Sequence, residues 1–301
     1  MSDYGVVLVT GAAGFVGRSV CALMRRTGLN YLGLDKRPCE NSGIAWQVCD
    51  ITDGAKLAAV FRTYKICVVI HLAAVLPTAS RSNPELATRV NIVGSTNLID
   101  AAVTFGAERF VFGSSMSVYG SEGNGIPLSE DSSARPTDLY GAAKRYVEIY
   151  GETIAKTKGL NFTALRIATV VGPGARNTAS PWRSNIFDRL SSGASQPITI
   201  PYPEDAVLSL VHVEDVAQML ISLALRENIP SHIYNTPAEN CRVLDLKRMV
   251  EALDGSLRVE LDNANQRRTP PVSNGTKFAV TFSYEAPPLA ERLRKAVKTR
   301  V

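Results

Sequence analysis

Short apolar runs alternate with helical patterns through the first two-thirds of the chain. Val6–Val9, Tyr31–Leu34, Ala45–Cys49, Cys67–Ile70, Phe110–Gly113 and Thr163–Ile167 are almost continuously apolar, as parallel strands buried on both faces are. Between them, Val16, Val20 and Leu23 recur at helical spacing with Gly28 behind them as a stop. Leu57, Val60 and Phe61 mark a second helix over Asp53–Tyr64. A longer helix is predicted from Asn83 to Phe105, and another from Leu139 to Lys158 with Gly159 after it. This alternation predicts an α/β fold, a doubly wound parallel sheet of the Rossmann type.

After Gly172 the pattern loosens. Gly172-Pro173-Gly174 breaks the chain, and helices are predicted near Arg183–Leu190, Glu214–Arg226, Leu244–Leu253 and Leu289–Lys298. Residues 1–172 read as the doubly wound domain and 173–301 as a smaller lobe. Parts near 208–236 are candidates to return to the first domain.

Composition narrows the function classes. The net charge of +5 lies wholly between Arg242 and Val301, where 12 Lys and Arg face 7 Asp and Glu. Those carboxylates dilute the basic tail and no aromatic ladder accompanies it, so no nucleic-acid partner is expected. The five cysteines are scattered without a C-x-x-C pair, which predicts neither a metal site nor a disulfide framework. No apolar run reaches the length of a membrane span, and nothing resembling a signal peptide precedes Val6. The expectation is a cytoplasmic protein with no membrane partner.

The chemistry starts at Thr10-Gly11-Ala12-Ala13-Gly14-Phe15-Val16-Gly17, between the first strand and the first helix. Gly11 permits a tight turn, Gly14 lets backbone approach a pyrophosphate, and Gly17 lets the helix pack on the strand. The helix start at Phe15 and Val16 then offers amide donors to phosphate. Asp35 ends the second strand, where a carboxylate accepts hydrogen bonds from ribose hydroxyls and repels a 2′-phosphate, so NAD is favoured. Lys36 and Arg37 beside it leave NADP open. Asp50-Ile51 follows the third strand and is a candidate for the adenine edge. The alternative is that Asp50, Thr52 or Asp53 caps the next helix. Leu72-Ala73-Ala74 ends the fourth strand with small side chains that let backbone lie against the dinucleotide, and His71 before it reads as a packed strand residue.

Tyr140 and Lys144 stand at i and i+4 on one helix face. A free tyrosine has a pKa of about 10. An ammonium beside it and a positive nicotinamide ring favour phenolate, which predicts a general base usable at neutral pH. The segment Ser114-Ser115-Met116-Ser117 ends the preceding strand and offers a hydroxyl to the same substrate oxygen.

Taken together, T-G-A-A-G-F-V-G, H-L-A-A, N-I-V-G-S-T-N-L, S-S-M-S-V-Y-G, Y-G-A-A-K and V-H-V-E-D-V-A resemble, in order and spacing, the extended short-chain dehydrogenase/reductase family. That family is also called the NAD-dependent epimerase/dehydratase family, and the resemblance covers nearly the whole chain. It implies an NAD-dependent enzyme in which hydride leaves a carbinol carbon for NAD while Tyr140 takes the hydroxyl proton. It assigns Ser115 as the catalytic hydroxyl and Lys144 as the residue that holds the nicotinamide ribose and tunes Tyr140. Asn91 would support the lysine through water, and Ile167 would lie against the cofactor. It also implies a homodimer that pairs the helices near residues 91–105 and 140–157. His212 and Asp215 match a family motif between the lobes and read as structural.

The same resemblance sorts substrates. Family dehydratases carry acidic residues just after the catalytic hydroxyl, where this chain has Met116 and Ser117. Nucleotide-sugar epimerases commonly carry Asn where Thr169 stands, and an Arg that pairs with diphosphate where Leu208 stands. Arg176 or Arg183 is an alternative cation for that task. The stretch Arg166–Phe187 is similar to sugar-acid dehydrogenases of the D-erythronate type, with Ser115, Ser117, Thr169, Arg176, Asn177 and Arg183 as substrate contacts. The expectation is therefore a dehydrogenase of a sugar acid or polyhydroxy acid, a small carbohydrate. The alternative is a UDP-hexose 4-epimerase, an isomerase with tightly bound NAD.

Overall fold

The computed structural model describes residues 5–39, 45–120, 125–175, 179–262 and 268–298. Leu8, Val69, Phe110 and Phe162 lie in mid-strand with no exposed surface, because helices cover both faces of the sheet they form. That sheet has seven parallel strands: β1 (Val6–Thr10), β2 (Tyr31–Asp35), β3 (Trp46–Val48), β4 (Ile66–His71), β5 (Arg109–Ser115), β6 (Asn161–Ile167) and β7 (Ile233–Asn235). Their order is β7-β6-β5-β4-β1-β2-β3. The chain runs outward from β1 to β3, then starts again at β4 on the other side. The crevice at the carboxyl ends of β1 and β4 is the switch point where such sheets bind ligands.

On one face, α2 (Gly54–Thr63), α3 (Ser95–Thr104) and α4 (Leu139–Lys158) bury Leu57, Leu98 and Val147 against the strands. On the other, α1 (Phe15–Arg26) and α6 (Val213–Leu225) bury Val20, Met24, Val216 and Leu220. The single helix predicted over Asn83–Phe105 is instead three pieces: Pro84–Thr88, a π-helical turn at Arg89–Gly94, and α3. Asn83 caps the first piece by accepting from the Leu86 amide at 3.0 Å, with Pro84 in the first turn. The π turn widens the helix at Asn91. Helix α4 runs over the span read from the sequence and stops at Gly159, whose φ of 74° is the left-handed cap.

Beyond β6, Thr169–Val171 pairs in parallel with Val207–His212, and Glu239–Arg242 pairs antiparallel to that middle strand. With α5 (Trp182–Ser192), α7 (Val243–Leu253) and α8 (Leu289–Lys298) these strands enclose a separate core around Trp182, Phe187, Leu208, Leu246 and Leu293. Between its visits to this lobe the chain returns to the main sheet through α6 and β7.

Candidate active site

The glycine loop is built by close approach. Gly11 has φ +67°, and a Cβ there would stand 2.6 Å from the Ala73 amide nitrogen. At Gly17 it would stand 2.2 Å from the Gly11 carbonyl oxygen. Gly14 is the N-cap of α1, no side chain bonds to this helix start, and its first turn holds no acidic residue. The amides of Phe15 and Val16 therefore open on the crevice with the positive end of the helix dipole behind them.

Asp35, 7% exposed, accepts from the Ala13 amide at 3.1 Å through Oδ2 and from the Arg37 amide at 3.1 Å through Oδ1. The Arg37 guanidinium folds back onto the same carboxylate (Nε to Oδ1, 3.2 Å), whereas Lys36 points into solvent. Asp50 turns on itself, its Oδ1 accepting from the Thr52 amide and hydroxyl at 2.9 and 2.8 Å, and the cap of α2 is Asp53. The Ile51 side chain packs in the core, where a Cβ at Gly94 would touch it, which leaves only its backbone to a ligand.

A buried hydrogen-bond chain fixes the Leu72-Ala73-Ala74 turn. Ser95 Oγ donates to the Asn91 carbonyl (2.8 Å), so it accepts from His71 Nε2 (2.9 Å). Nδ1 is then the acceptor for the Thr10 hydroxyl (2.7 Å), which in turn accepts from the Leu72 and Ala73 amides at 3.3 and 3.4 Å. Burial pushes His71 down to about 3, so it is neutral as this pattern requires. The Asn91 amide clamps Val75 at both ends, accepting from its nitrogen at 2.7 Å and donating to its oxygen at 2.9 Å. Its side chain thus holds the turn.

Tyr140 sits at the start of α4, capped by Asp138, whose carboxylate accepts from the Gly141 amide at 2.7 Å. A Cβ at Gly141 would lie 2.3 Å from the Ser117 carbonyl oxygen, so a side chain there would push Tyr140 away from the end of β5. Ser115 Oγ accepts from the Ser117 amide at 3.1 Å and donates to Ser117 Oγ at 3.2 Å, and its hydroxyl favours the ionised form of the Tyr140 phenol. Lys144 is 4% exposed, donates to the Gly113 carbonyl at 2.6 Å and lies 4.5 Å from the Phe112 ring centre.

The electrostatics differ from the sequence expectation. Burial pushes the Tyr140 phenol up to about 12, and Ser115 and Arg183 only partly offset it. Burial also pushes Lys144 down to about 7, against the pull of Glu148. At neutral pH the tyrosine is therefore a neutral phenol, and burial weakens the lysine's hold on its proton.

Arg183 lies in the first turn of α5 and its charge reaches Tyr140. Thr169 is 7% exposed and pairs with Leu210. Ile167 flanks Gly113 in the strand beside it. Arg176 and Asn177 lie outside the described residues. Leu208 is fully buried in the lobe core. His212 caps α6 through Nδ1, and Asp215 pairs with Arg292 of α8. Three contributors went unnoticed in the sequence. Arg18 joins the glycine loop to the turn at Gly174 by donating to Ala13 O at 2.8 Å and Gly174 O at 2.6 Å. Glu148 and Arg166 form a buried ion pair behind Lys144. A carboxylate four residues after Lys144 was the signal available for Glu148. Among the described residues, no three His, Cys, Asp or Glu side chains are grouped to hold a metal ion, and no helix is long and apolar enough to cross a membrane.

The uncapped helix start, the side-chain-free cradle and the placed carboxylate of Asp35 all fit a dinucleotide, so fold and site define a Rossmann-type, dinucleotide-dependent enzyme. The NAD dependent epimerase/dehydratase family matches residues 7–236. The chain belongs to that family, and its cofactor is NAD. It is 37% identical over 187 residues to UDP-glucuronate 4-epimerase 3 of Arabidopsis thaliana, a match covering 56% of this chain and 43% of that protein. The chain spans about half the length of the curated relatives it matches. UDP-glucose 4-epimerase of Thermus thermophilus, solved in complex with NAD, aligns at TM-score 0.83 and 26% identity over 98% of both chains. L-threonine dehydrogenase of Phytophthora infestans aligns at TM-score 0.88 and 22% identity over 97% of both, a likeness of fold alone.

Proposed function

We propose that this enzyme is a nucleotide-sugar 4-epimerase acting on a UDP-hexose or UDP-hexuronate. The observation that carries the reading is the identity of 33 to 37% shared with UDP-glucuronate 4-epimerases, set beside a Ser115–Tyr140–Lys144 cluster at the sheet's carboxyl edge. It takes the place of the sugar-acid dehydrogenase expected from the Arg166–Phe187 loop.

When bound, NAD supplies the acceptor for a hydride from the sugar carbinol and returns it. The amides of residues 14–17 hold its pyrophosphate and Asp35 its adenosine ribose. Ser115 donates a hydrogen bond to the reacting oxygen, and Tyr140 takes the hydroxyl proton and gives it back. Lys144 supplies the positive charge that favours phenolate at the moment of transfer. Met116 and Ser117 carry no carboxyl group, so elimination of water has no acid or base beside Ser115.

The dehydrogenase remains the second reading because of Leu208. The position that in nucleotide-sugar epimerases commonly holds an Arg for diphosphate is here part of the lobe core. A diphosphate would then rely on Arg183 or the 176–177 segment. The absorbance spectrum of the purified protein, followed by assays on UDP-sugars and sugar acids, decides between them. Bound NAD and interconversion of UDP-sugars without net NADH support the epimerase. Accumulating NADH with a sugar acid overturns it.

Val93, Tyr146 and Ile149 are 45 to 50% exposed. They lie on the helical segments expected to pair and support a homodimer built on those faces.

A further inference from the structure

One buried carboxylate touches each element that carries the reacting groups. Glu148 is fully buried in α4, one turn beyond Lys144 and two beyond Tyr140. Its Oε1 accepts from Ser114 Oγ at 2.7 Å and from Arg166 Nε at 2.9 Å. Its Oε2 accepts from Arg166 Nη2 at 2.8 Å and from Arg145 Nη1 at 2.9 Å. Four donors fill a carboxylate's capacity. Ser114 and Arg166 are register partners across β5 and β6, and the next pair in that register is Ser115 with Ile167. The remaining Arg166 nitrogen donates to the Tyr119 hydroxyl at 2.6 Å, which anchors the far side of the same strand ends.

We propose that Glu148 is a positioning residue for this site: it locks the helix bearing Tyr140 and Lys144 to the strand end bearing Ser115, and supplies negative charge to the Lys144 ammonium. The proposal rests on the reading of Tyr140 and Lys144 as the reacting pair. Stability alone does not call for such a network, because replacing a buried ion pair by apolar side chains of similar volume is often neutral or stabilising. Lys144 needs the charge. Its ammonium has a carbonyl and two aromatic rings around it, and burial drives it toward the neutral amine while Glu148 opposes that. The other charged or titratable groups facing the pair are His71 on β4, neutral here, and Arg166 on β6 and Arg145 on α4 behind Glu148. Asp138 and Arg183 face Tyr140.

Glu148→Gln leaves Arg166 buried without its counter-ion and is expected to fold poorly. The decisive variant is Glu148→Met with Arg166→Met, which removes both charges and keeps an apolar filling. NMR of protein carrying lysine labelled at Cε, with Lys144→Met to assign the signal, reads the Lys144 titration without any substrate. The double variant is expected to melt near the wild type while its Lys144 midpoint falls by more than about 0.3 unit. The alkaline limb of any turnover profile, where the ammonium gives up its proton, moves to lower pH with it. A folded double variant whose midpoint stays within about 0.3 unit of wild type overturns the proposal. Turnover surviving Tyr140→Phe would instead overturn the assignment of the reacting pair, and the Lys144 titration would still report on Glu148.

Discussion

Gly17→Ala sets two known magnitudes against each other. Inside a helix alanine is favoured over glycine by about 1 kcal/mol, so propensity alone predicts a more stable protein. The new methyl, however, would stand 2.2 Å from the Gly11 carbonyl oxygen and 2.8 Å from the Ala12 Cα. Unstrained non-bonded contacts lie at about 3.5 Å or more, so α1 must retreat by roughly 1 Å. It has nowhere to go, because Val20 and Met24 on the same helix are fully buried in the core shared with α6. Overpacking of this kind costs about 1–3 kcal/mol, so against the propensity gain the net loss is up to about 2 kcal/mol. For a chain of this size that lowers Tm by a few degrees, at roughly 2–4 °C per kcal/mol. The larger effect falls on the cofactor, since retreat of the helix withdraws its amides from the pyrophosphate. NAD affinity should drop about tenfold for each 1.4 kcal/mol by which those amide–phosphate bonds weaken. Calorimetric titration with NAD and a thermal melt read both effects. Gly54→Ala is the matched control, because a Cβ there meets nothing within 4 Å and should leave both quantities unchanged or Tm slightly higher. If Gly17→Ala binds NAD as tightly as wild type and melts no lower, the close-approach argument for the cradle is wrong.

Three further outcomes follow from the geometry. Tyr140→Phe should lower turnover by about 10²–10⁴-fold with little change in NAD affinity, and loss of NAD binding in the same proportion would show that the ring serves the cofactor instead. Asp35→Ser removes the carboxylate that Arg37 is folded onto and frees that guanidinium. The NAD-to-NADP preference, from competing Kd measurements, should then fall by roughly 10–100-fold. His71 binds its proton near 6.5 when unfolded but only at about 3 when folded. Between those values the unfolded chain holds the extra proton, so stability falls as pH drops through this window, by up to about 1.4 kcal/mol per unit, and is unaffected above it. His212, pushed down to about 4 by burial, adds to the same trend. Urea midpoints at pH 7 and pH 5 measure it, and His71→Asn, which keeps one donor and one acceptor, should flatten the slope.

Sequence periodicity read the main sheet well where burial is uniform. The six strands from Val6 to Ile167 and the span of α4 were legible because both faces of each strand, and one face of the helix, demand apolar residues. β7 was not, since Ile233–Asn235 is only three residues long and is defined by pairing with Ala164–Arg166 rather than by its own pattern. The Asn83–Phe105 segment read as one helix because a π turn keeps the apolar spacing nearly intact, while the Asn91 clamp on Val75 within that turn is a tertiary contact. At the site, Gly11, Gly14, Gly17, Tyr140 and Lys144 stood out by spacing. The direction of the Tyr140 shift did not, because a helical i, i+4 pair says nothing about how deeply both members are buried. For Glu148 the sequence offered only its place four residues after Lys144, and the pairing with Arg166 18 positions on, like that of Arg18 with Gly174 156 positions on, is a tertiary contact with no local pattern.

The path of the chain between sheet and lobe limits how such a protein can be rebuilt. After β6 the chain enters the lobe, leaves it through α6 and β7, and re-enters at Glu239–Arg242. Arg292 on α8 then bonds back to Glu214 and Asp215 on α6. No single cut separates the two parts, so a nicked or truncated chain should not release a stable nucleotide-binding fragment. Lineages descending from this scaffold cannot acquire a new substrate pocket by appending a module at one end. They must either exchange two non-adjacent segments together or change the lining residue by residue, which favours gradual drift among related sugars over abrupt replacement of the ligand.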